Sequence, residues 1–220
     1  MAAILITGAA RGIGLAITQQ LVGRGDRVIA LCRTPSAALS AIEGIRVIAD
    51  TNVADPASIA HLVAQVDKQP IDVIIHNAGI MTDESLQDLD LERIRRQFEI
   101  NALAPLRMTQ ALLPNLRNGS KIALITSRMG SIDDNTSGGR YGYRMSKAAL
   151  NMAGQSLAVD LRSTGIAVGI FHPGMVATDM TGFQGMEPAV AAANLITRID
   201  QLSMENSGQF FHANGDSLPW

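Results

Sequence analysis

Short apolar segments alternate with segments of helical periodicity along the whole chain, and this alternation restricts the folds that are open to it. Ala3–Thr7 is apolar without the polar alternation of a half-exposed strand, as expected of a strand that is buried on both faces. The other strand-like segments are Arg27–Leu31, Ile45–Ile48, Ile71–His76, Lys121–Thr126, Ile166–Phe171 and Gly208–His212. Helical segments separate them at Ile13–Val22, at a weak segment that begins at Pro35, and at Pro56–Val66 (with Asp55 as N-cap), Leu91–Leu113, Tyr143–Leu161 and Glu187–Ile199.

Strands that alternate with helices predict a parallel sheet, because each crossover helix returns the chain to the same edge of the sheet. We therefore predict an α/β fold, a single doubly wound, Rossmann-type domain over residues 1–220. Its sheet is expected to be seven-stranded and mostly parallel, with helices on both faces. The chain of 220 residues is 47% hydrophobic, which suits one large core and argues against disorder.

Charge and composition argue against several functional classes. A net charge of −2 offers no broad basic surface for nucleic acid. The single cysteine, Cys32, cannot form an internal disulfide, and with four histidines it predicts no metal cluster. No window approaches the roughly 20 apolar residues that cross a bilayer, and the start of the chain lacks the features of a secretion signal. We expect a cytoplasmic protein that binds neither membrane nor metal.

Three glycines lie between the first strand and the first helix, in the segment Thr7-Gly8-Ala9-Ala10-Arg11-Gly12-Ile13-Gly14. Glycines allow a sharp turn and a close approach of a pyrophosphate, and the N-terminus of the following helix attracts an anion. The alternative is a glycine-rich turn that only joins strand to helix. The position of this glycine segment directly after the first strand favours dinucleotide binding.

Tyr143 and Lys147 are four residues apart on a predicted helix, so they share one face. A nearby ammonium is expected to lower the pKa of the tyrosine from its ordinary value of about 10 toward neutrality. Such a group can exchange a proton with a carbonyl or alcohol oxygen. The spacing alone also occurs by chance on helix surfaces. Tyr141 is a weaker candidate, because the fourth residue after it is Met145.

Two further polar residues are candidates for the same site. Ser127 follows a predicted strand at the sheet edge where ligands bind, so its hydroxyl can bind a carbonyl oxygen, although it can equally cap a turn. Asn101 lies in an apolar helical stretch, where a buried amide needs partners. It can bend the helix, hold a water that links Lys147 to solvent, or simply pack with its hydrogen bonds satisfied.

Two other strand ends carry small or polar residues. His76-Asn77-Ala78-Gly79 leaves room for a ribose and adenine, and Pro173-Gly174 precedes Val176 and Thr178, whose hydroxyl can bind a nicotinamide carboxamide. Each is also consistent with a plain turn.

The order and spacing of these motifs resemble those of the short-chain dehydrogenase/reductase family over essentially the whole chain. Three segments are similar to the C-factor/sniffer-like carbonyl reductases, and so is the ending with Gly208-Gln-Phe-Phe and Leu218-Pro-Trp220. They are Ser127-Arg-Met-Gly-Ser-Ile, Asn135-Thr-Ser-Gly-Gly and Tyr141-Gly-Tyr143-Arg-Met-Ser-Lys147-Ala-Ala-Leu-Asn.

This resemblance implies the site roles. Tyr143 is the implied general acid/base, Lys147 its tuning group and ribose ligand, Ser127 the carbonyl-positioning residue and Asn101 the proton-relay residue. The implied cofactor-binding residues are Gly8, Arg11, Gly12, Ile13, Gly14, Arg33, Asn52, Val53, Asn77, Ala78, Gly79, Tyr143, Lys147, Pro173, Gly174, Val176 and Thr178.

The sequence departs from the family pattern at two places. His76 stands where asparagine is frequent, and Asn52 stands where an adenine-contacting aspartate is usual; Asp50 takes that place in another register.

The exit of the second strand, Leu31-Cys32-Arg33-Thr34, has no acid to hold the ribose diol of NAD. Arg33 is placed to meet a 2′-phosphate, and Arg11 can add a second charge. We therefore expect NADP(H), and a small-molecule carbonyl or alcohol as substrate. The short segment Asp179–Met186 is the expected lid over an open, apolar pocket, with Met129 among its lining residues.

Two long helices, Leu91–Leu113 and Tyr143–Leu161, are apolar over much of their circumference, which together with the resemblance favours a homodimer or homotetramer. A catalytically weak NADP(H)-binding sensor with the same fold is the alternative from another class. An NAD-bound epimerase or dehydratase is a second enzymatic alternative, although such relatives usually carry an acid after the second strand.

Overall fold

A computed structural model describes residues 1–220 and contains one seven-stranded sheet. Every neighbouring pair of strands is parallel, and the strand order is β3-β2-β1-β4-β5-β6-β7. The strands are β1 (Ala3–Thr7), β2 (Arg27–Leu31), β3 (Arg46–Ile48), β4 (Val73–His76), β5 (Lys121–Ile125), β6 (Ala167–His172) and β7 (Phe210–His212). The predicted doubly wound fold is confirmed. The order reverses between β1 and β4, which is where such sheets bind their ligands.

Helices cover both faces of the sheet. They are α1 (Gly12–Gly23), α2 (Ala37–Ser40), α3 (Pro56–Val66), α4 (Leu91–Phe98), α5 (Ala104–Leu112), α6 (Tyr141–Asp160) and α7 (Pro188–Gln201). Ile4 and Ile6 of β1 pack in the cluster that contains α1 and α7, whereas Leu5 packs with α3 and α5. Both faces of β1 are therefore buried, which accounts for its unbroken apolar sequence.

The segment predicted as one helix over Leu91–Leu113 is not regular, and that prediction is wrong in detail. Residues Glu99–Leu103 form a π-helical turn between α4 and α5, and the N–H of Ala104 donates to the carbonyl of Glu99. Pro105 explains part of this irregularity, because proline has no N–H to offer the carbonyl of Asn101 four residues before it. The wider turn includes Asn101, a candidate site residue.

Loop chemistry sets the start of α3 as predicted. The Asp55 carboxylate accepts a hydrogen bond from the N–H of Ala57 at 3.0 Å, and Pro56 is the first residue of α3. No helix of the structure combines the length and the hydropathy that a bilayer crossing requires.

Candidate active site

The three glycines of the β1–α1 turn are required by its geometry. Gly8 and Gly12 have φ of +69° and +54°, in the left-handed region that favours glycine. A Cβ on Gly14 would lie 2.2 Å from the carbonyl oxygen of Gly8 and 2.5 Å from Nδ2 of Asn77. The turn therefore packs too tightly for any side chain at that position.

The segment after β4 holds this turn in place. The Asn77 amide donates to the carbonyls of Thr7 and Gly8 at 3.1 and 3.2 Å. The backbone N–H groups of Asn77 and Ala78 both donate to the Thr7 hydroxyl, at 3.0 and 2.9 Å. Gly79 follows, and a Cβ there would lie 3.3 Å from Oδ1 of Asn101 and 3.6 Å from Nζ of Lys147. The phosphate-binding turn and the candidate catalytic residues thus meet at one edge of the sheet.

The N-terminus of α1 fits an anionic group. The preceding residue, Arg11, provides no side-chain cap, and the first turn contains no acidic residue. Arg33 is exposed at the exit of β2, as expected for a ligand of a 2′-phosphate. Arg11 forms an exposed ion pair with Asp179 at 2.8 Å, and its expected contact with a 2′-phosphate stays a prediction. Ile13, in the first turn of α1, is half-buried against the core.

The segment after β3 leaves the choice between Asn52 and Asp50 open. Asn52 is exposed, and its side-chain oxygen accepts from the N–H of Ala54 at 3.2 Å. Asp50 is exposed as well, with a positive φ of 53°. Val53 packs against the core cluster beneath α3. The adenine-contacting role of either polar residue stays a prediction.

Tyr143 and Lys147 lie on the buried face of α6, as their spacing predicts. The Lys147 ammonium donates to the carbonyl of Ile125, the last residue of β5, at 2.9 Å. It lies 5.8 Å from the centre of the Tyr143 ring. The helix begins at Tyr141, two residues before the predicted start, which places Tyr143 in its first turn.

Ser127 combines the two roles that the sequence left open. Its Oγ accepts a hydrogen bond from the N–H of Met129 at 3.1 Å and so caps the short 3₁₀ turn Arg128–Gly130. The same hydroxyl is close enough to Tyr143 to favour the phenolate form of that residue. Because Oγ accepts from the backbone, its own proton remains available for Tyr143 or a substrate oxygen.

Burial shifts the acidity of both residues of the helix pair. It lowers the pKa of Lys147 from 10.5 to about 8. It raises the pKa of Tyr143 above its ordinary value, although the Ser127 hydroxyl and the charge of Arg140 both act to lower that pKa. The expectation that Lys147 draws the pKa of Tyr143 toward neutrality is therefore wrong for this structure, since desolvation of the phenolate is the largest effect.

Asn101 is buried within the π-helical turn, and both polar atoms of its side chain are hydrogen-bonded. Oδ1 accepts from the N–H of Ile80, and Nδ2 donates to the carbonyl of Ile80, both at 2.9 Å. Nδ2 also donates to the hydroxyl of Ser146 at 3.0 Å, and that hydroxyl donates to the carbonyl of Tyr143 at 2.9 Å. The amide therefore connects the segment after β4 to the helix that carries Tyr143.

Glu84 and Gln97 support the start of α6, and the sequence analysis did not identify them. Both are buried, and Gln97 donates to the Glu84 carboxylate at 3.0 Å. The other carboxylate oxygen accepts from the N–H of Gly142 at 3.3 Å. The residue before the helix, Arg140, has a left-handed backbone and no side-chain cap. A carboxylate from a distant segment therefore caps this helix, and no local motif reveals it.

A second missed contact lies one turn after Lys147. The Thr126 hydroxyl donates to Oδ1 of the buried Asn151 at 2.6 Å. The contact fixes α6 to the end of β5, directly before Ser127.

The segment after β6 lies against the glycine turn. Gly174 has φ of +89°, Val176 is buried and Pro173 precedes them at the strand end. The Thr178 side chain would be 3.1 Å from a Cβ on Gly12. The next residue, Asp179, forms the ion pair with Arg11.

The site at this sheet edge contains the motifs of one family in their three-dimensional arrangement. Residues 2–188 match the model of the short chain dehydrogenase family. The chain belongs to this family. A relative from Rhodococcus sp. (strain AD45), 1-hydroxy-2-glutathionyl-2-methyl-3-butene dehydrogenase, is 44% identical over 227 residues, which cover 100% of both chains.

Two other proteins bear out the resemblance to the C-factor/sniffer-like group. The C-signal protein of Myxococcus xanthus is 49% identical over 155 residues, covering 69% of this chain and 93% of its own. The structure is similar to the NADPH-bound carbonyl reductase from chicken fatty liver, with a TM-score of 0.90 and 29% identity over 100% of this chain and 99% of the other. This short chain dehydrogenase is therefore an oxidoreductase by family and shares its whole fold with a carbonyl reductase.

Proposed function

We propose that the protein is an NADP(H)-dependent oxidoreductase that interconverts a carbonyl and an alcohol. The observation that carries the proposal is the adjacency of the Ser127 and Tyr143 hydroxyls, with Lys147 buried beside them at the edge of the sheet that holds the glycine turn. The names of the Rhodococcus dehydrogenase and the chicken carbonyl reductase describe opposite directions of this reaction class, which supports it.

The proposed roles follow from what each side chain can reach. Ser127 donates a hydrogen bond to the substrate oxygen, and Tyr143 gives that oxygen its proton in reduction or removes it in oxidation. When bound, NADPH supplies the hydride for the carbonyl carbon. Lys147, with its pKa at about 8, can hold or release a proton near neutral pH. Asn101 keeps Ser146 and the segment after β4 in place and is the proposed relay residue.

The proposed NADP(H) site joins the glycine turn to the ends of β2, β3, β4 and β6. Its phosphate-binding part is the uncapped N-terminus of α1, and Arg33 binds the 2′-phosphate. Arg11 joins it only when it leaves Asp179, which costs little because the ion pair is exposed. The proposed ligands are the cofactor-binding residues implied by the resemblance.

The state of the protein in the cell is also part of the proposal. We place the chain in the cytoplasm, as one domain over residues 1–220 that assembles into a homodimer or homotetramer. Leu103, Leu106, Met145, Met152 and Val159 expose apolar side chains on the Glu99–Leu103 turn, α5 and α6, which favours assembly through these elements.

The test is NADPH consumption with a panel of aldehydes, ketones and diketones, using wild type, Tyr143→Phe and the matched control Tyr141→Phe. We expect turnover in wild type and in Tyr141→Phe, and a loss of at least about 100-fold in Tyr143→Phe, the usual contribution of a general acid. Turnover that survives in Tyr143→Phe would refute the assignment. Tight NADPH binding without turnover of any carbonyl would favour the sensor.

Cofactor choice is tested separately by fluorescence titration. We expect wild type to bind NADPH far more tightly than NADH, and Arg33→Ala to reduce this difference. Equal dissociation constants for the two nucleotides in wild type would contradict the proposed role of Arg33.

A further inference from the structure

A polar cavity of about 420 Å³ adjoins the candidate active site. It lies between residues 83–88, which follow β4, and residues 137–144, which lead into α6, and Met129 is its one apolar lining residue. Met129 donates its N–H to Ser127, and Arg144 follows Tyr143 in the chain. The volume is in the range of small-molecule sites. The wall of this cavity is therefore polar, in contrast to the apolar pocket that the sequence predicts under the segment Asp179–Met186.

The carboxylates in the cavity wall already have partners. Asp83 pairs with Arg140 at 2.6 Å, and Asp88 pairs with Arg93 at 3.1 Å. The third acid, Glu84, accepts hydrogen bonds from Gln97, Gly142 and the Thr82 hydroxyl. A cationic ligand would therefore have to displace an arginine or another hydrogen-bond donor from each of these acids.

Arg144 is the charged group of the cavity that lacks an opposite charge in contact. Its Nε donates to the carbonyl of Gly138 at 3.1 Å, and Nη2 donates to the hydroxyl of Ser137 at 2.8 Å, both of which are neutral. The nearby Asp134 is bound by Arg128 instead. The half-buried guanidinium has five N–H donors, so three remain for a ligand.

Arg140 connects the cavity to the reacting tyrosine. It lines the cavity, and its charge is close enough to Tyr143 to lower the pKa of the phenol. Its ion pair with Asp83 is exposed on both sides, with relative exposures of 46% and 76%, so it contributes little and can be exchanged for another carboxylate.

We propose that this cavity binds the carboxylate of the substrate, with Arg144 as the main ligand and Arg140 as the second. The inference rests on the proposed function, because the same molecule must present its carbonyl or alcohol to Tyr143. The substrate class is then a carbonyl compound that bears a carboxylate on a connecting chain. Three acids in the wall raise the cost of a dianion, which favours a carboxylate over a phosphate group.

The test compares a keto acid with its methyl ester and with a phosphate-bearing ketone of the same length. For each enzyme the measured quantity is the ratio of kcat/KM for the acid to kcat/KM for the ester. We expect wild type to prefer the acid and Arg144→Gln to lower the ratio at least about tenfold, as for a lost hydrogen bond to a charged group. Arg144→Lys should recover part of it, and Arg162→Gln, which changes a remote exposed arginine, should keep it.

The ratio separates this inference from the proposed function. Partial unfolding of a variant lowers both kcat/KM values equally and leaves the ratio unchanged. The inference is overturned if wild type reduces neutral carbonyls as well as keto acids and Arg144→Gln leaves the ratio unchanged. That outcome leaves the proposed function intact. If no carbonyl is reduced, calorimetry that compares keto-acid binding to wild type and to Arg144→Gln tests the proposed carboxylate site independently of turnover. Tighter binding of the phosphate compound would overturn the carboxylate assignment.

Discussion

Replacing Lys147 by methionine should stabilise the folded protein while it removes the proposed proton-holding group. Burial lowers the pKa of Lys147 from 10.5 to about 8. Each pKa unit corresponds to about 1.4 kcal/mol, so keeping this ammonium charged at pH 7 costs the folded state about 3 kcal/mol. The variant also loses the hydrogen bond to the Ile125 carbonyl, worth about 1 kcal/mol. The expected net gain in the free energy of unfolding is about 2 kcal/mol at pH 7.

The pH dependence follows from the same two pKa values. Between pH 8 and 10.5 the unfolded chain still binds a proton at Lys147 that the folded chain has released, so wild-type stability rises with pH. The cost falls to about 1 kcal/mol at pH 9.5, which removes about 2 kcal/mol of the variant's advantage over wild type. Groups common to both proteins cancel in this difference.

Urea denaturation at pH 7 and at pH 9.5 measures the effect, with Lys68→Met, which replaces an exposed lysine, as the control for the substitution itself. A Lys147→Met variant that is less stable than wild type at pH 7, or whose difference from wild type does not change with pH, would show that Lys147 is not a costly buried charge. A stabilised but inactive variant is the usual outcome where function needs an unfavourable group.

The remaining predictions concern the glycine turn and the cap of α6. Gly14→Ala should lose about 1–3 kcal/mol of stability and bind NADPH more weakly, because its Cβ would lie 2.2 Å from the Gly8 carbonyl oxygen. The control Gly23→Ala has open space around its Cβ and should be neutral or slightly stabilising. Thermal unfolding and NADPH titration check this, and equal behaviour of the two variants would contradict it. Glu84→Ala should lose about 1–3 kcal/mol of stability, because the N–H of Gly142 and the Gln97 amide lose their acceptor, and its kcat should fall. Glu84→Gln should retain part of the stability and part of the kcat. Urea denaturation and steady-state rates measure the two effects, and wild-type values for Glu84→Ala would refute the capping role.

The strands and the glycine turn were predictable because their causes are local. An unbroken apolar segment such as Ala3–Thr7 follows directly from burial on both faces of a parallel sheet. Asp55 and Pro56 start α3 through a side-chain cap and a fixed φ, both of which are readable from neighbouring residues. The i, i+4 spacing likewise placed Tyr143 and Lys147 on one face of α6.

Other features depend on how distant segments meet. Pro105 was visible in the sequence, but the π-helical turn that accommodates it and turns Asn101 toward Ile80 depends on the packing against α6. The direction of the Tyr143 pKa shift depends on how deeply the phenol is buried, which an i, i+4 spacing does not encode. The pairing of Arg11 with Asp179 joins residues 168 positions apart.

By itself, the sequence determined the class of fold and the turn that fits a dinucleotide, because periodicity and glycine geometry act over a few residues. The four residues proposed for the chemistry came from the resemblance of the whole set of motifs to one family. The tertiary structure alone decided that Glu84 caps α6 from a distant segment and that Arg144 lines a polar cavity without an ion-pair partner of its own. Both depend on three-dimensional proximity. Charge balance and the acceptors of buried donors are properties of a neighbourhood, and only the folded chain brings that neighbourhood together.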